Sequence, residues 1–399
     1  MAPVATLPTP ARTPNPEVKS LKGRVHQGPW SELNDIPDPF EGITEPADPS
    51  LLPEGFPAQI EGPGAWDGPE LEKRPEEWIH VLTAEELAEI EQNVESFENS
   101  GRPFSEINKE TFPLSFFSSK TLPGLTDELF DGRGFFLLRG LPVEKWSREQ
   151  SAIAFLGIGS HIGLRTPQNF KGHVLGHVKD LGYDIKEVGV RPYQTRITQS
   201  FHTDNSHVVA LLSLKQAKSG GESAIAPFYT IYNHIAKYRP DLIHTLAQDW
   251  YGDWKNEHGP NEKPYRKLPA LFSHKGKIIY TNPGFFASAP RHEGVPPVRR
   301  AQWEVSKAIQ SLAQEHAIRM LMQPGDYQYV NNMKVLHSRE SFEDYEDVNE
   351  KRHLLRLWLR CCPPEFKGWE YPEILDTERV YSTFSTADGF EHTYPLEAE

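Results

Sequence analysis

Short apolar runs bounded by turn residues recur through the middle and the end of this chain. Runs at 135–141 and 206–214 predict buried strands, because each is short, apolar and flanked by Gly, Pro or charged residues, and the alternating segment 352–360 predicts a strand with one aliphatic face. The segment 268–280 predicts a hairpin that turns at Lys275-Gly276. Further short strands are predicted at 173–178, 222–226, 318–322 and 327–330.

Helical patterns are fewer than strand patterns. Thr83 and Ser147 each begin a capping-box sequence, which predicts helices ending near Glu98 and Gly157. Further helices are predicted at 229–238, 241–250 and 298–316. Many short strands interrupted by a few helices predict an α+β fold, with a closed or sandwiched β core and helices packed outside.

The first 60 residues differ from the rest. They are rich in Pro, Gly and acidic residues and show no sustained period, which predicts an extension that wraps the surface or is partly disordered. Residues 61–399 are predicted to form the folded domain.

Charge and cysteine usage narrow the class of protein. The chain has 399 residues and a net charge of −14, which argues against nucleic acid and anionic membranes as partners. Cys361 and Cys362 are the only cysteines, so a disulfide framework is excluded and a reducing interior is expected. The sequence shows neither a signal-peptide core nor a membrane-spanning apolar run. We therefore expect a cytoplasmic protein; the sequence leaves open whether it forms a homo-oligomer.

Metal-capable side chains occur at two places. His202 and Asp204 form a His-x-Asp pair, and in an extended strand residues i and i+2 share a face, so both could reach one ion. His337 follows an apolar run and is a candidate third ligand. Each signal is weak alone, because a single histidine of this kind more often lies in a surface turn or in ordinary packing.

The last strand carries arginines on one face. Strand alternation places Arg352, Leu354, Arg356, Trp358 and Arg360 together, and that face is either in solvent or inside a barrel. Inside a barrel each guanidinium needs a partner, and a carboxylate held by a bidentate Arg is the natural one. Trp358 is expected to fill the barrel, with stacking on Arg356 as the alternative.

Two histidines and one carboxylate fit two metals. They form the facial triad of non-haem Fe(II) oxygenases, but they also occur in hydrolytic zinc sites. Arg352, placed to hold the distal carboxylate of a keto acid, favours iron. A zinc hydrolase and a non-catalytic β-barrel that binds a small molecule remain as alternatives.

Four motifs in order carry a family resemblance: His202-x-Asp204, Gly220–Ser223, His337–Arg339 and Arg352–Leu354. This order resembles the taurine dioxygenase (TauD/TfdA) family of Fe(II)- and 2-oxoglutarate-dependent oxygenases, over roughly residues 62–370. The resemblance implies a double-stranded β-helix, a jelly roll of the cupin type, with flanking helices. It implies that 61–399 is an oxygenase domain using Fe(II), 2-oxoglutarate and O2.

The resemblance also implies roles for single residues. His202, Asp204 and His337 would ligate iron, and Arg352 would bind the C5 carboxylate of 2-oxoglutarate. Ser223 stands where the family usually has Thr and would help to hold 2-oxoglutarate. Arg356 matches a position that faces the active site, so it is a candidate contact for the co-substrate and for an anionic substrate.

The sequence predicts the substrate less closely than the reaction. Asn205, directly after the His-x-Asp pair, is a candidate substrate contact, but an Asx-turn in the metal loop is an equal alternative. Arg356 indicates a small acidic or zwitterionic metabolite. Oxidation of an unactivated C–H bond, by hydroxylation or by desaturation or cyclisation, is the predicted reaction, with succinate and CO2 released.

Overall fold

Two facing β-sheets form the centre of the structure. The computed structural model describes residues 48–377 and 391–398, apart from residues 170, 186, 188 and 259–261. The strands in this part of the chain are β1 (Ile79–Val81), β2 (Phe135–Arg139), β3 (Leu164–Thr166), β4 (Gly176–Val178), β5 (Gln199–His202), β6 (Val208–Lys215), β7 (Ser219–Gly220), β8 (Ser223–Pro227), β9 (Asp249–Asp253), β10 (Tyr265–Pro269), β11 (Leu271–His274), β12 (Lys277–Tyr280), β13 (Ile318–Met320), β14 (Tyr327–Asn331), β15 (Val335–Arg339), β16 (Phe342–Glu343) and β17 (His353–Arg360).

Helices pack around these sheets. They are α1 (Gly68–Leu71), α2 (Ala84–Ser100), α3 (Ser115–Lys120), α4 (Leu122–Phe130), α5 (Arg148–Ser160), α6 (Phe228–Tyr238), α7 (Pro240–Ala247), α8 (Arg300–His316) and α9 (Ile374–Thr377). The capping boxes at Thr83 and Ser147 begin α2 and α5, as the sequence predicts. The hairpin at Lys275-Gly276 joins β11 to β12, and both turn residues have positive φ, as a tight hairpin turn requires.

The strand order is that of a jelly roll. The larger sheet has the order β1-β2-β14-β6-β17-β3, with β4 also paired to β17, and the smaller sheet has the order β13-β8-β15-β5. The pairs within the smaller sheet are antiparallel, and in the larger sheet β1 and β2 are the parallel pair. The predicted α+β fold with a double-stranded β-helix core is confirmed.

Strand β17 has the two faces that its alternation predicts. Leu354 and Trp358 lie between the sheets, where they belong to one buried cluster with Val209 of β6 and Ile225 of β8. The opposite face, with Leu355, Leu357 and Leu359, joins the outer core under α5. The arginine face is therefore the barrel interior, and Arg352 and Arg356 are only 6% and 8% exposed.

Two predicted elements are wrong in extent. The helix predicted over 241–250 ends at Ala247, because the chain turns extended at Gln248 and continues as β9, which carries Trp250 into the core. The strand predicted over 173–178 begins only at Gly176, and His173 instead forms an isolated bridge with Thr393.

The described end of the N-terminal extension lies against α6. Ile60 exchanges two hydrogen bonds with the side chain of Asn233, and the Tyr232 hydroxyl donates to the Pro57 carbonyl. Residues 1–47 lie outside the described residues, so the domain boundary near residue 60 stays a prediction. Among the helices described, none has the length and apolar character needed to cross a membrane.

Candidate active site

The candidate metal ligands converge because two strands pair in register. His202 ends β5, and His337 lies directly opposite it on β15, so the centroids of the two rings are 4.3 Å apart. Asp204 follows β5, and its Oδ1 is 3.6 Å from His202 Nε2 while its Oδ2 is 3.9 Å from His337 Nε2. One ligand atom from each of the three residues lies within 4.8 Å of the others.

Neighbouring groups orient this cluster. His202 Nδ1 lies 2.8 Å from the Ser200 carbonyl, to which it donates, and this leaves Nε2 to act as the metal-binding atom. The backbone N–H of Asp204 donates to Asn332 Oδ1, and the Asn332 amide in turn donates to Ser206. The loop after β5 is therefore fixed by a side chain that precedes β15.

The electrostatics of the cluster suit a divalent cation. Burial alone would raise the pKa of Asp204, but Arg356 and the two histidines lower it well below its usual range, so the carboxylate is ionised. Burial, together with the charge of His202, lowers the pKa of His337 to about 3, so this imidazole is neutral at physiological pH. A carboxylate and a neutral imidazole are the forms that bind Fe(II).

Asp204 is also held through its second carboxylate oxygen, Oδ2. Trp358 Nε1 donates to Asp204 Oδ2 at 2.8 Å, and Arg356 Nη1 donates to the same oxygen at 3.2 Å. Gln168 Oε1 accepts from Arg356 Nε at 2.6 Å, and the Arg356 guanidinium lies 4.7 Å from the centre of the Tyr193 ring and 5.2 Å from that of the Trp358 ring. Trp358 therefore fills the barrel, as expected, and its ring also contacts the Arg356 guanidinium.

Replacement of Trp358 by Phe tests this support. Because hydrogen bonds to a metal ligand tune its position, W358F is expected to weaken Fe(II) affinity by roughly tenfold. Anaerobic titration with Fe(II), followed by retained metal per protein, measures the loss.

W78F is the matched control for this variant. Trp78 lies in the same buried cluster between the sheets, but its indole N–H donates to the Leu71 carbonyl. If W78F lost metal affinity as strongly as W358F, general loosening of the core would explain both results.

A small inner pocket lies on one side of the cluster. It has a volume of about 40 Å³ and is lined by Ser223, Arg352, His202, Asp204 and His337, among others. Arg352 Nη1 is buried in it with no hydrogen-bond partner in the described part of the chain, and burial lowers the pKa of Arg352 to about 10. A buried guanidinium with an unused donor fits an anionic ligand such as a carboxylate.

The sequence analysis assigned no role at this pocket to Arg339 or Phe342. Arg339 lines it as well, and burial, then the charge of Arg352, lowers the pKa of Arg339 to about 9. The ring of Phe342 lies against both guanidinium groups, 4.8 Å from that of Arg339 and 5.2 Å from that of Arg352. Gly221 has a φ of +76°, and a Cβ there would come 3.0 Å from Arg352 Nε, so glycine makes room for the arginine.

A larger outer cavity lies on the other side. Its volume is about 360 Å³, and Tyr193, Gln199, His202, Asp204 and Arg356 line both spaces. The metal cluster therefore sits at the boundary between the two. The outer wall carries aromatic rings and polar groups that sequence reasoning did not single out, among them Arg191, Trp254, Glu257, Arg266 and Phe285.

Asn205 lines this outer cavity. Its side-chain oxygen accepts a hydrogen bond from Arg266 at 3.1 Å, so the side chain is oriented by another strand. A contact between Asn205 and substrate stays a prediction, as do the roles of Ser223, Arg352 and Arg356 toward ligands.

A jelly roll with two histidines and a carboxylate at one open cluster is typical of non-haem iron oxygenases. Residues 100–358 match the family described as "Taurine catabolism dioxygenase TauD, TfdA family". The chain is 31% identical over 308 residues to the taurine hydroxylase-like protein SAT17 of Stachybotrys chartarum, covering 73% of this chain and 77% of that protein. It is 28% identical over 327 residues to the FR-33289 synthase of Streptomyces rubellomurinus, covering 80% and 94%.

Solved structures share the fold. Asparagine oxygenase in complex with Fe(II), 3-hydroxyasparagine and succinate aligns with a TM-score of 0.56 at 15% identity, covering 72% of this chain and 98% of that chain. The oxygenase OrfP in complex with Fe and 2-oxoglutarate aligns with a TM-score of 0.52 at 14% identity, covering 71% and 93%.

The chain belongs to the TauD/TfdA family. It is an Fe(II)- and 2-oxoglutarate-dependent dioxygenase, and Fe(II), 2-oxoglutarate and O2 are its cofactor and co-substrates. The predicted family and cofactors are confirmed, and the zinc hydrolase and the non-catalytic β-barrel are set aside. Location in the cytoplasm stays a prediction.

Proposed function

We propose that this dioxygenase oxidises an unactivated C–H bond of a small acidic or zwitterionic metabolite, with release of succinate and CO2. The observation that carries the proposal is the position of His202, Asp204 and His337 between two cavities of different character. The inner pocket offers a buried arginine to an anion, and the outer cavity has room for a metabolite-sized molecule.

Each residue has a defined task in this proposal. His202, Asp204 and His337 hold the iron, and Trp358 and Arg356 keep Asp204 Oδ2 in hydrogen bonds so that Oδ1 points toward His202. When bound, Fe(II) and 2-oxoglutarate supply the oxidising power with O2, because the keto acid is decarboxylated as O2 is reduced. The protein contributes position and exclusion of water.

The inner pocket orients the co-substrate. Arg352 would bind the C5 carboxylate through Nη1, and Ser223, which is 6% exposed, would donate its hydroxyl to the same group. Arg356 lines both cavities, so a contact to either ligand is compatible with its place, although its Nη1 and Nε donate to Asp204 and Gln168.

The substrate class is argued from the outer cavity and from relatives. Arginine and carboxylate side chains both line that cavity, which favours a substrate that carries an acidic group and a basic group. The solved relatives were crystallised with the amino acids 3-hydroxyasparagine and 3-hydroxyarginine, which are small zwitterions. A substrate of amino-acid size fits the cavity volume of about 360 Å³.

Succinate formation tests the proposed function. The enzyme is incubated in air with Fe(II), 2-oxoglutarate and single members of a panel of amino and sulfonic acids. At least one member is expected to raise succinate formation well above the rate without substrate. Product mass then separates the reactions, since hydroxylation adds one oxygen atom whereas desaturation or ring closure removes two hydrogen atoms.

Two controls accompany this assay. One omits O2 and the other replaces Fe(II) with Zn(II), and both are expected to stop succinate formation. Substrate consumption that continued with Zn(II) and without 2-oxoglutarate would contradict the proposal.

A further inference from the structure

A side chain from helix α8 completes the edge of the smaller sheet beside the metal cluster. Strand β5 is the last strand of that sheet in the described part of the chain, so the backbone groups on its outer edge need partners from outside the sheet. Gln310 supplies both partners for Phe201. Its Oε1 accepts from the Phe201 N–H at 2.9 Å, and its Nε2 donates to the Phe201 carbonyl at 2.7 Å. The amide of Gln310 thus takes the place of one residue of a neighbouring strand.

The peptide group between Ser200 and Phe201 connects Gln310 to His202. The N–H of this group donates to Gln310, and its carbonyl, which belongs to Ser200, accepts from His202 Nδ1 at 2.8 Å. Because a peptide group is planar, it cannot rotate to change one of these contacts without changing the other. Hydrogen bonds in such a chain also polarise one another, so the contact with Gln310 makes the Ser200 carbonyl a better acceptor for His202.

The hydrogen bond from His202 Nδ1 decides whether His202 can bind a metal. A neutral imidazole has one N–H group and one nitrogen with a free lone pair. Because Nδ1 donates to the Ser200 carbonyl, the free nitrogen is Nε2, which lies 3.6 Å from Asp204 Oδ1. The other tautomer would carry its hydrogen on Nε2 and could not present that atom to the cation.

His202 differs from the other two ligand candidates in what supports it. His337 lies on β15, which is paired with a strand on each side. Asp204 is held through its backbone N–H by Asn332. His202 lies on the edge strand, so the outer side of its strand depends on Gln310.

Gln310 is itself fixed by its helix. Ile309 and Ala313 of α8 are buried in the outer core, so the helix cannot move away from β5 without opening that core. Gln310 also lines the outer cavity together with Ser306, one turn earlier on the same helix. The amide therefore stands on a rigid element in the wall of the cavity.

We propose that Gln310 is a positioning residue for the metal centre: it holds the Ser200–Phe201 peptide group and thereby keeps His202 in the tautomer whose Nε2 faces Asp204. The inference rests on the proposed function, in which His202 is an iron ligand, and deepens it by assigning what fixes that ligand.

Anaerobic titration with Fe(II) tests the inference without turnover. Q310M removes both hydrogen bonds to Phe201 and keeps the length of the side chain, and it is expected to weaken Fe(II) affinity by about tenfold, as loss of an outer hydrogen bond to a metal ligand does. Q310N is a polar second variant, because its amide is one methylene shorter and cannot reach both backbone groups. It is expected to weaken the affinity in the same way.

Two matched controls exclude a general loss of stability. Asn233 of α6 exchanges the same two hydrogen bonds with the backbone of Ile60, away from the metal cluster, so N233L removes an equivalent pair of contacts. Gln314 lies one turn after Gln310 on α8 and lines neither cavity at the cluster, so Q314M repeats the substitution itself. Both variants should bind Fe(II) as the wild type does.

The tautomer of His202 gives a second readout in the metal-free protein. Nitrogen-15 spectra of the histidine side chains distinguish an N–H at Nδ1 from one at Nε2, and the signals missing from H202A identify those of His202. The wild type and N233L are expected to show the Nδ1–H form. Q310M is expected to show a mixture of the two forms.

The outcomes separate two failures. If Q310M and Q310N bound Fe(II) as the wild type does, if N233L lost as much affinity as Q310M, or if the His202 signals of Q310M matched those of the wild type, the role of Gln310 would be overturned. If H202A itself bound Fe(II) as tightly as the wild type, the assignment of the iron ligands in the proposed function would be contradicted.

Discussion

The D204A variant is expected to lose iron binding and at least about a thousandfold of substrate-stimulated turnover, since a bound metal supplies several kcal/mol of transition-state stabilisation. Asp204 is the only anionic member of the ligand cluster, and its two oxygens lie 3.6 and 3.9 Å from the two imidazole nitrogens. Without it, two neutral imidazoles remain, and the charge of the cation is no longer balanced. Metal content after dialysis and succinate formation in air measure the two losses.

The D204A variant also leaves the buried charge of Arg356 without its carboxylate partner. Removing one partner of a buried ion pair is destabilising, so D204A is expected to lower the melting temperature as well. D204N separates the effects, since its amide oxygen still accepts from Trp358 and Arg356 but carries no charge. We expect D204N to be less destabilised than D204A, because the hydrogen-bond acceptor is kept, and to bind iron poorly.

A histidine variant controls for nonspecific effects. His274 ends β11 and lines neither of the two cavities at the metal cluster, so H274A should keep full metal content and activity. H202A and H337A should resemble D204A in both measurements. Turnover that survived in D204A, with iron still bound, would show that the cluster is not the iron site.

The sequence predicts the cluster of candidate metal ligands because two of its members are close together along the chain. His202 and Asp204 are separated by one residue, so strand geometry alone brings them to one face. His337 is 135 residues further along, and its pairing opposite His202 depends on strand register that periodicity does not fix. Only the order of motifs shared with a family connects it to the pair.

The contacts of Asp204 and the residues of the outer cavity wall could not be predicted from the sequence in the same way. Alternation places Arg356 and Trp358 inside the barrel, but the shared contact with Asp204 Oδ2 needs the facing sheet at a particular distance. Arg266 lies in the short sequence Tyr-Arg-Lys-Leu-Pro, which resembles an exposed edge strand. Gly252 leaves space for it across the β9–β10 pair, and the Trp254 ring lies 5.6 Å from its guanidinium.

The R352M variant is expected to raise the KM for 2-oxoglutarate by about 100-fold or more, because a buried charge pair with a ligand contributes several kcal/mol. Arg352 Nη1 is buried without a hydrogen-bond partner in the described residues, and Nη2 reaches only the Gly221 carbonyl at 3.4 Å. A methionine keeps much of the side-chain volume and offers no donor to the distal carboxylate. Iron content should remain that of the wild type, because Arg352 is not among the metal-ligand candidates.

Variants at Ser223 and Arg360 provide a weaker variant and a control for this prediction. S223A is expected to raise the same KM only several-fold, since a single neutral hydrogen bond contributes about 1 kcal/mol. R360Q is the matched control, because Arg360 ends the same strand β17 but pairs with Asp376 away from the pocket, so the KM should not change. Thermal unfolding gives a second readout: adding 2-oxoglutarate to the Fe(II)-loaded protein should raise the melting temperature of the wild type and R360Q further but not that of R352M. Equal stabilisation of R352M would assign the co-substrate carboxylate to another group, and Arg339, which lines the same pocket, would be the next residue to test.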